Sequence, residues 1–354
     1  MADHREPVSQ NIAEPEPRVQ QPFFNVRNLS ARVYKNKKTY KILNNISFSI
    51  GEGEILGLAG ESGCGKSVTA LSIAGLLPEA IQITKGEIIF KGNNLLPQDE
   101  LKMRGIRGSG ISLIFQDVRQ ALNPLMKAGD QITEPLELGN LTDKNLKSNE
   151  RKKINKEEAL NLLSLLGFEK PQKIFSAYPH QLSGGMCQRI MTAMAVIGRP
   201  KLLLGDEMSS SLDEESRKRC MSLLLDMNQK NKMSLLLISH DLSIIKENCA
   251  RFIIMYAGRI IEEGPSSSLF SPHHPYTKAL VNAVPNKDKR GEKLACINGK
   301  TPSAEENQIE GCPFAPRCPK AKSVCTAAFP PEQIINNNKV FCYYPETNIH
   351  TENH

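Results

Sequence analysis

No run of apolar residues in this 354-residue sequence approaches the roughly 20 that a membrane-spanning helix needs. The most apolar stretches, such as Leu202–Leu204 and Leu235–Ile238, are the length of strands. The opening residues, MADHREPVSQNIAEPEPRVQQP, contain no apolar core of the kind a secretory signal carries, so an intracellular protein is expected. No internal repeat is present. The nine cysteines include no C-x-x-C pair, which takes away the usual mark of a zinc ribbon. In a reducing compartment these thiols stay free unless something ligates them. What is there fits an ordinary globular chain, at 40% hydrophobic and 23% charged residues, long enough for two domains or for one with appendages. The net charge of +7 is accounted for by a solvated surface, and nucleic acid is not expected as a partner.

Residues 1 to 22 are polar and carry several prolines, which predicts a disordered leader. Order is expected from Phe23, where FFNVRNLSARVY alternates like a strand. ILNNISFSI reads as a second strand, and GEGEILGLAG runs a third into a glycine-rich turn. Ser67–Leu77 is apolar at helical spacing. From about Ala121 to Arg199 the pattern is helical, broken by the charged run LTDKNLKSNERKKINKEE, and a helical subdomain is expected over about 117–199. Strand signals return in KLLLGDE, SLLLISH and RFIIMYAGRIIEEG. Strands alternating with helices predict an α/β fold with a mainly parallel sheet covered on both faces. After Gly264 the composition shifts towards Pro, Lys and Cys, so residues 23–264 are read as the main domain and 265–354 as a C-terminal appendage.

The strongest local signal is Gly60-Glu61-Ser62-Gly63-Cys64-Gly65-Lys66-Ser67, which follows an apolar strand and opens a helix. Its glycines let the backbone curl so that successive N–H groups face phosphate oxygens, and the helix start adds its positive dipole end. Lys66 is expected to reach the β- and γ-phosphates, Ser67 to hold Mg²⁺, and Val68 to complete the segment that surrounds the nucleotide. A glycine turn that merely precedes Lys-Ser is the structural alternative, and the strand–loop–helix context disfavours it. Further on, the strand Lys201–Gly205 ends in Asp206 and Glu207. Asp206 is placed to hold Mg²⁺ through water and Glu207 to polarise the attacking water as a general base.

This loop alone leaves kinases, GTPases, helicases and other motors open. Leu182-Ser183-Gly184-Gly185-Met186, just before a helical pattern, resembles the signature of the ABC ATPases. In that family the segment binds the γ-phosphate of ATP held by the opposing subunit. A second glycine-rich helix start is physically suited to such an anion. The resemblance further implies that Gln116 senses Mg²⁺ and couples to membrane subunits, and that Ser211-Leu212-Asp213 crosses the dimer interface. It makes His240 the switch residue on the γ-phosphate. It also implies an adenine-stacking aromatic on the first strand; Tyr34 is the nearest, one residue past Val33 at the counted position. Two departures are Met208, where a proline usually follows the catalytic Glu, and Cys187, where a basic residue is usual. The implied fold is an ABC-type nucleotide-binding domain with an antiparallel β subdomain and a helical subdomain.

Between about Phe24 and Tyr344 the resemblance narrows. QDVRQALNP, YPHQLSGGM, FSPHHPYTKALVNAVP and GCPFAPRCPKAKSVC are similar to the ATPases of oligopeptide, dipeptide and nickel importers. The implied assembly pairs this chain with a second ATPase subunit, identical or not, two membrane permeases and an extracytoplasmic substrate-binding protein. Its place is the cytoplasmic face of the inner membrane, as a peripheral subunit. A permease-free ABC ATPase acting on ribosomes or nucleic acid is the alternative; such proteins carry two cassettes or a long coiled coil. Cys312, Cys318, Cys325 and Cys342 are separated by five, six and sixteen residues. Four thiolates suit either a zinc ion or a 4Fe–4S cluster, and the resemblance implies the cluster. All four lie beyond the last catalytic motif at His240, so the tail is expected to be independent of the phosphate-binding loop.

Overall fold

The computed structural model describes residues 23–138, 147–208, 212–284, 297–306 and 310–346. The leader, Ser211 and Cys296 lie outside the described residues. The chain opens on β1 (Phe24–Lys35), β2 (Lys38–Ile50) and β3 (Ile55–Ala59), then α1 (Lys66–Ala74), β4 (Ile81–Phe90), β5 (Asn93–Asn94), α2 (Glu100–Ile106) and β6 (Ile111–Ile114). The helices α3 (Val118–Ala121), α4 (Ala128–Leu138), α5 (Ser148–Leu165), α6 (Pro171–Phe175) and α7 (Gly184–Ile197) follow. Next come β7 (Leu202–Asp206), α8 (Glu214–Asn231), β8 (Ser234–Ile238), α9 (Leu242–Asn248), β9 (Arg251–Tyr256) and β10 (Arg259–Pro265). The chain ends in α10 (Pro275–Ala283), α11 (Ser323–Ala327), β11 (Glu332–Ile335) and β12 (Asn338–Phe341). Among the described residues no helix is long and apolar enough to cross a membrane.

Two sheets organise these elements. A four-stranded antiparallel sheet runs β2-β1-β4-β5, and an eight-stranded sheet runs β11-β12-β10-β9-β3-β8-β7-β6. The strands β6, β7, β8, β3 and β9 are parallel neighbours. β3, β7 and β8 are buried at every position, as expected of central strands covered on both faces. Their Leu- and Ile-rich sequences carry no period-2 alternation because neither face meets water. β1 and β2, half-exposed, do alternate in part. Between β6 and β7 the chain folds into α3 to α7, with α4 and α5 packed on α7.

The C-terminal region is less separate than its composition predicts. β12 pairs with β10 through Glu262↔Val340 and Glu263↔Lys339, so the tail extends the main sheet. Cys312, Phe314, Cys325 and Tyr276 belong to the same buried cluster as β7, β8 and α7. Pairing covers an edge of β10 that would otherwise present open backbone groups. Glu262, fully buried, completes the join: its carboxylate accepts from the backbone N–H of His273 (2.9 Å) and His274 (3.0 Å) and from Asn338 Nδ2 (3.1 Å). A composition boundary at Gly264 is therefore not a packing boundary.

Candidate nucleotide site

The phosphate-binding loop leaves the buried strand β3, held on both edges by β8 and β9, and enters α1. Gly60 has φ 150°, and a Cβ there would lie 2.2 Å from the Met255 carbonyl oxygen, so only glycine lets the loop pass. Gly65 caps α1 at φ 108°, again left-handed. The first turn of α1 carries no acidic residue, leaving its positive end uncompensated within the helix. Lys66 is buried, and its ammonium donates to the carbonyls of Gly60 (2.8 Å) and Glu61 (3.0 Å), which draws it across the loop. Burial pushes the Cys64 thiol up, and its sulfur accepts a long contact from the Lys66 ammonium (3.8 Å). Val68 is partly buried, packed against an apolar cluster that draws on both sheets and on Cys64 of the loop itself.

Asp206 closes β7 with only 5% of its surface exposed. Burial pushes its carboxyl up, against a hydrogen bond with Ser67 and the nearby Lys66 charge. Its Oδ1 has no hydrogen-bond partner among the described residues. An unpaired buried carboxylate oxygen is costly, and here it stands next to a serine hydroxyl at the mouth of an anion-binding loop. The pair Ser67 and Asp206 therefore fits a hard divalent cation and its water shell.

Glu207 follows in a left-handed conformation, φ 49°, its N–H donating to the Ile238 carbonyl (3.1 Å). Such a backbone costs a non-glycine residue on the order of 1 kcal/mol or more, and it turns the side chain away from the strand direction. Gln116 Nε2 donates to Glu207 Oε2 at 3.0 Å, and His240 Nδ1 lies 3.7 Å from Oε1. Three side chains predicted from separate motifs thus meet at the carboxyl ends of β6, β7 and β8. That edge is where parallel α/β sheets bind ligands. The Glu207 side chain is 19% exposed and the His240 side chain 68%, so the group is open on the histidine side.

Other predicted residues occupy different settings. Ser183 caps α7, its Oγ accepting from Met186 N–H (3.3 Å), and a Cβ at Gly184 would meet no atom within 4 Å. The signature thus presents an open helix start. Asp213 caps α8 by accepting from Ser216 N–H (2.9 Å), and those hydrogen bonds hold its carboxyl below the usual range. Its carboxylate serves its own helix. Tyr34 is 61% exposed on β1, as a ring available for stacking must be.

The tail reaches this site. Arg317 pairs with Glu61 through Nη1···Oε2 at 2.6 Å and Nη2···Oε1 at 3.1 Å, and Thr301 Oγ1 donates to Glu61 Oε2 at 2.6 Å. Tyr276 OH accepts from Glu61 N–H at 2.8 Å. The expected independence of tail and loop does not hold, because distance along the chain is not distance in space. Nothing in the local pattern around Arg317 announces this contact.

Cys312, Cys318, Cys325 and Cys342 line one small cavity, together with His274, Tyr343 and Tyr344. Burial pushes the thiol of Cys312 up to about 11 and that of Cys342 up to about 12. His274 Nδ1 accepts from Tyr276 N–H (3.0 Å), and its buried Nε2 has no hydrogen-bond partner among the described residues. Among the described residues no three His, Cys, Asp or Glu side chains are grouped closely enough to hold a single metal ion. The spacing along the sequence does converge on one place, but not on one point.

Residues 43–210 match the ABC transporter family, and residues 261–325 match the oligopeptide/dipeptide transporter C-terminal region. The chain is 41% identical to the dipeptide transport ATP-binding protein DppD of Bacillus subtilis, over 89% of this chain and 92% of that one. It is 39% identical to DppD of Haemophilus influenzae, covering 91% and 96%, and 37% identical to the oligopeptide transport ATP-binding protein OppD of Escherichia coli, covering 91% and 93%. Its fold is similar to a dimeric ATP-binding cassette solved in a post-hydrolysis state with ADP and Pi, at TM-score 0.61 and 25% identity, covering 69% of this chain and 98% of that one. On these grounds the chain belongs to the ABC transporter ATP-binding proteins that carry the oligopeptide/dipeptide C-terminal region.

Proposed function

We propose that this chain hydrolyses ATP at a site completed by a second cassette subunit, and that hydrolysis drives uptake of peptides through two membrane permeases. The observation that carries the reading is the meeting of Gln116 and His240 on Glu207, beside Asp206 and the Lys66 loop. Lys66 exchanges its two carbonyl partners for phosphate oxygens, and the loop N–H groups with the α1 start hold the remaining charge. Ser67 and Asp206, with Gln116, would hold Mg²⁺; when bound, the ion would supply charge neutralisation on the polyphosphate. Glu207 accepts a proton from the attacking water as the bond from the γ-phosphorus to the ADP oxygen breaks, giving ADP and phosphate. His240 lies on the open side of Glu207, where it can steady the γ-phosphate. Ser183, Gly184 and Gly185 serve the ATP of the opposing subunit, and Tyr34 stacks on adenine. Glu207→Gln is expected to retain ATP binding and lower turnover by about 10²- to 10⁴-fold. Turnover equal to the parent's in the assembled transporter would remove Glu207 from that role.

Peptide cargo, permease partners and an extracytoplasmic binding protein are supported by relatives described as dipeptide and oligopeptide transport proteins. The same relatives favour a peripheral position on the cytoplasmic face of the inner membrane, and none of them supports a permease-free ATPase on ribosomes or nucleic acid. For Cys312, Cys318, Cys325 and Cys342, which line one cavity, the reading is a 4Fe–4S cluster with zinc as the alternative, since four thiolates suit either. Its contribution there is to cross-link the tail.

A further inference from the structure

Glu61 is the second residue of the phosphate-binding loop, and every polar group it owns is held. Its N–H donates to Tyr276, its carbonyl accepts from Lys66, and its carboxylate is held by Arg317 and Thr301. Arg317 meets it with both arms of the guanidinium, a geometry that fixes orientation as well as charge. The guanidinium is itself locked: its side chain is only 7% exposed, Nε donates to the Asn298 carbonyl (2.8 Å) and Nη1 to Tyr256 OH (3.1 Å). Tyr256, Tyr276 and Phe314 pack edge-on and tilted around it, with ring centroids 4.6 to 5.3 Å apart. Phe314 and Arg317 both lie between Cys312 and Cys318. The cysteine-bearing segment thus stands directly behind the loop.

A carboxylate in this loop sets a negative charge against the polyphosphate the loop is read to bind. Arg317 offsets that charge and holds Glu61 back against the aromatic wall. We propose that Arg317, with Tyr276 and Thr301, is a positioning residue for the phosphate-binding loop, so that the C-terminal tail sets the affinity for Mg-ATP. The inference rests on the reading of the Gly60–Ser67 loop as the ATP site. It goes beyond that reading by assigning nucleotide affinity to residues outside every nucleotide motif.

The test is a double-mutant cycle on the full-length chain, reading Mg-ATP affinity and the separate KM and kcat of hydrolysis. Arg317→Ala is expected to weaken Mg-ATP binding about tenfold, in KM far more than in kcat, because a buried charge partner is lost while the reacting groups stay in place. Arg317→Lys keeps the charge but not the fork and is expected to give a smaller loss, of about threefold. Adding Glu61→Gln to Arg317→Ala removes the uncompensated carboxylate and is expected to recover most of the affinity, an outcome that a general loss of tail structure does not produce. Should Arg317→Ala not fold, Arg317→Lys and Arg317→Lys with Glu61→Gln carry the same comparison. Unchanged Mg-ATP affinity in the Arg317 variants, with binding still weakened by Lys66→Ala, overturns the inference and leaves the ATP site standing. Mg-ATP affinity unchanged in Lys66→Ala as well overturns the site reading and the inference together. A loss that Glu61→Gln does not relieve also overturns it, since the effect then does not pass through Glu61.

Discussion

Lys66 shows how one side chain is held in place by its own loop. Its ammonium donates to two carbonyls of its own turn, and these bonds hold it across the loop proposed to take the phosphates. Lys66→Ala removes that charge in the ground state as well as the transition state, so affinity is lost before turnover. A charge-assisted hydrogen bond is worth about 1.5–3 kcal/mol, which puts the expected loss at roughly 10- to 100-fold in ATP affinity, read by nucleotide titration. Glu207 illustrates the opposite economy of position. Its left-handed backbone is an expense for a glutamate, and it places the carboxylate between Gln116 and His240 instead of back along β7.

At the scale of elements, the start of α7 is the proposed contact with the second cassette. Ser183 caps the helix and Gly184 leaves the surface beside it open. Ser183→Arg puts bulk and charge on that opening and also removes the cap, a loss of about 1 kcal/mol confined to the helix start. The expected result is normal ATP binding by the monomer but no ATP-driven dimer, measured by light scattering in the Glu207→Gln background, where hydrolysis does not reverse association. Normal dimerisation would remove the sandwich mechanism. α8 shows a neighbouring element whose predicted interface residue has local work: Asp213 caps the helix, as Asx residues commonly do, and the signal for capping and the signal for contact overlap.

Across the whole molecule, the tail packs into the main fold and touches Glu61 through Arg317 and Thr301. Strand β12 continues the main sheet, Glu262 knits the join from the buried side, and Arg317 reaches the phosphate-binding loop. A group held by the four cysteines, as proposed, would therefore bear on the loop as well as on the tail. Protein purified without oxygen is expected to be brown, with about four irons and four inorganic sulfides per chain. Cys312→Ser, Cys318→Ser, Cys325→Ser or Cys342→Ser is expected to lose the iron and to raise the KM for ATP through the slackened Arg317 segment. Iron, sulfide and zinc analysis decides the matter: stoichiometric zinc without sulfide replaces the cluster with a zinc site, and no metal at all removes both.

The phosphate-binding loop, the Asp206–Glu207 strand end and the α7 signature were legible because each is a contiguous segment. A polyphosphate is held by successive backbone N–H groups, so glycine spacing and the strand–helix change write the site into adjacent residues. The central strands were legible for the same reason, as short apolar runs buried on both faces. What only the tertiary structure decided are meetings between distant side chains. Gln116 and Glu207 are 91 residues apart and Arg317 and Glu61 are 256 apart. No periodicity links such pairs, because a side-chain hydrogen bond depends on where the sheet order brings two elements, and that order is set by packing of the whole chain. The tail's place in the main sheet belongs with them: composition marks where a chain changes character, but backbone pairing decides where a fold ends.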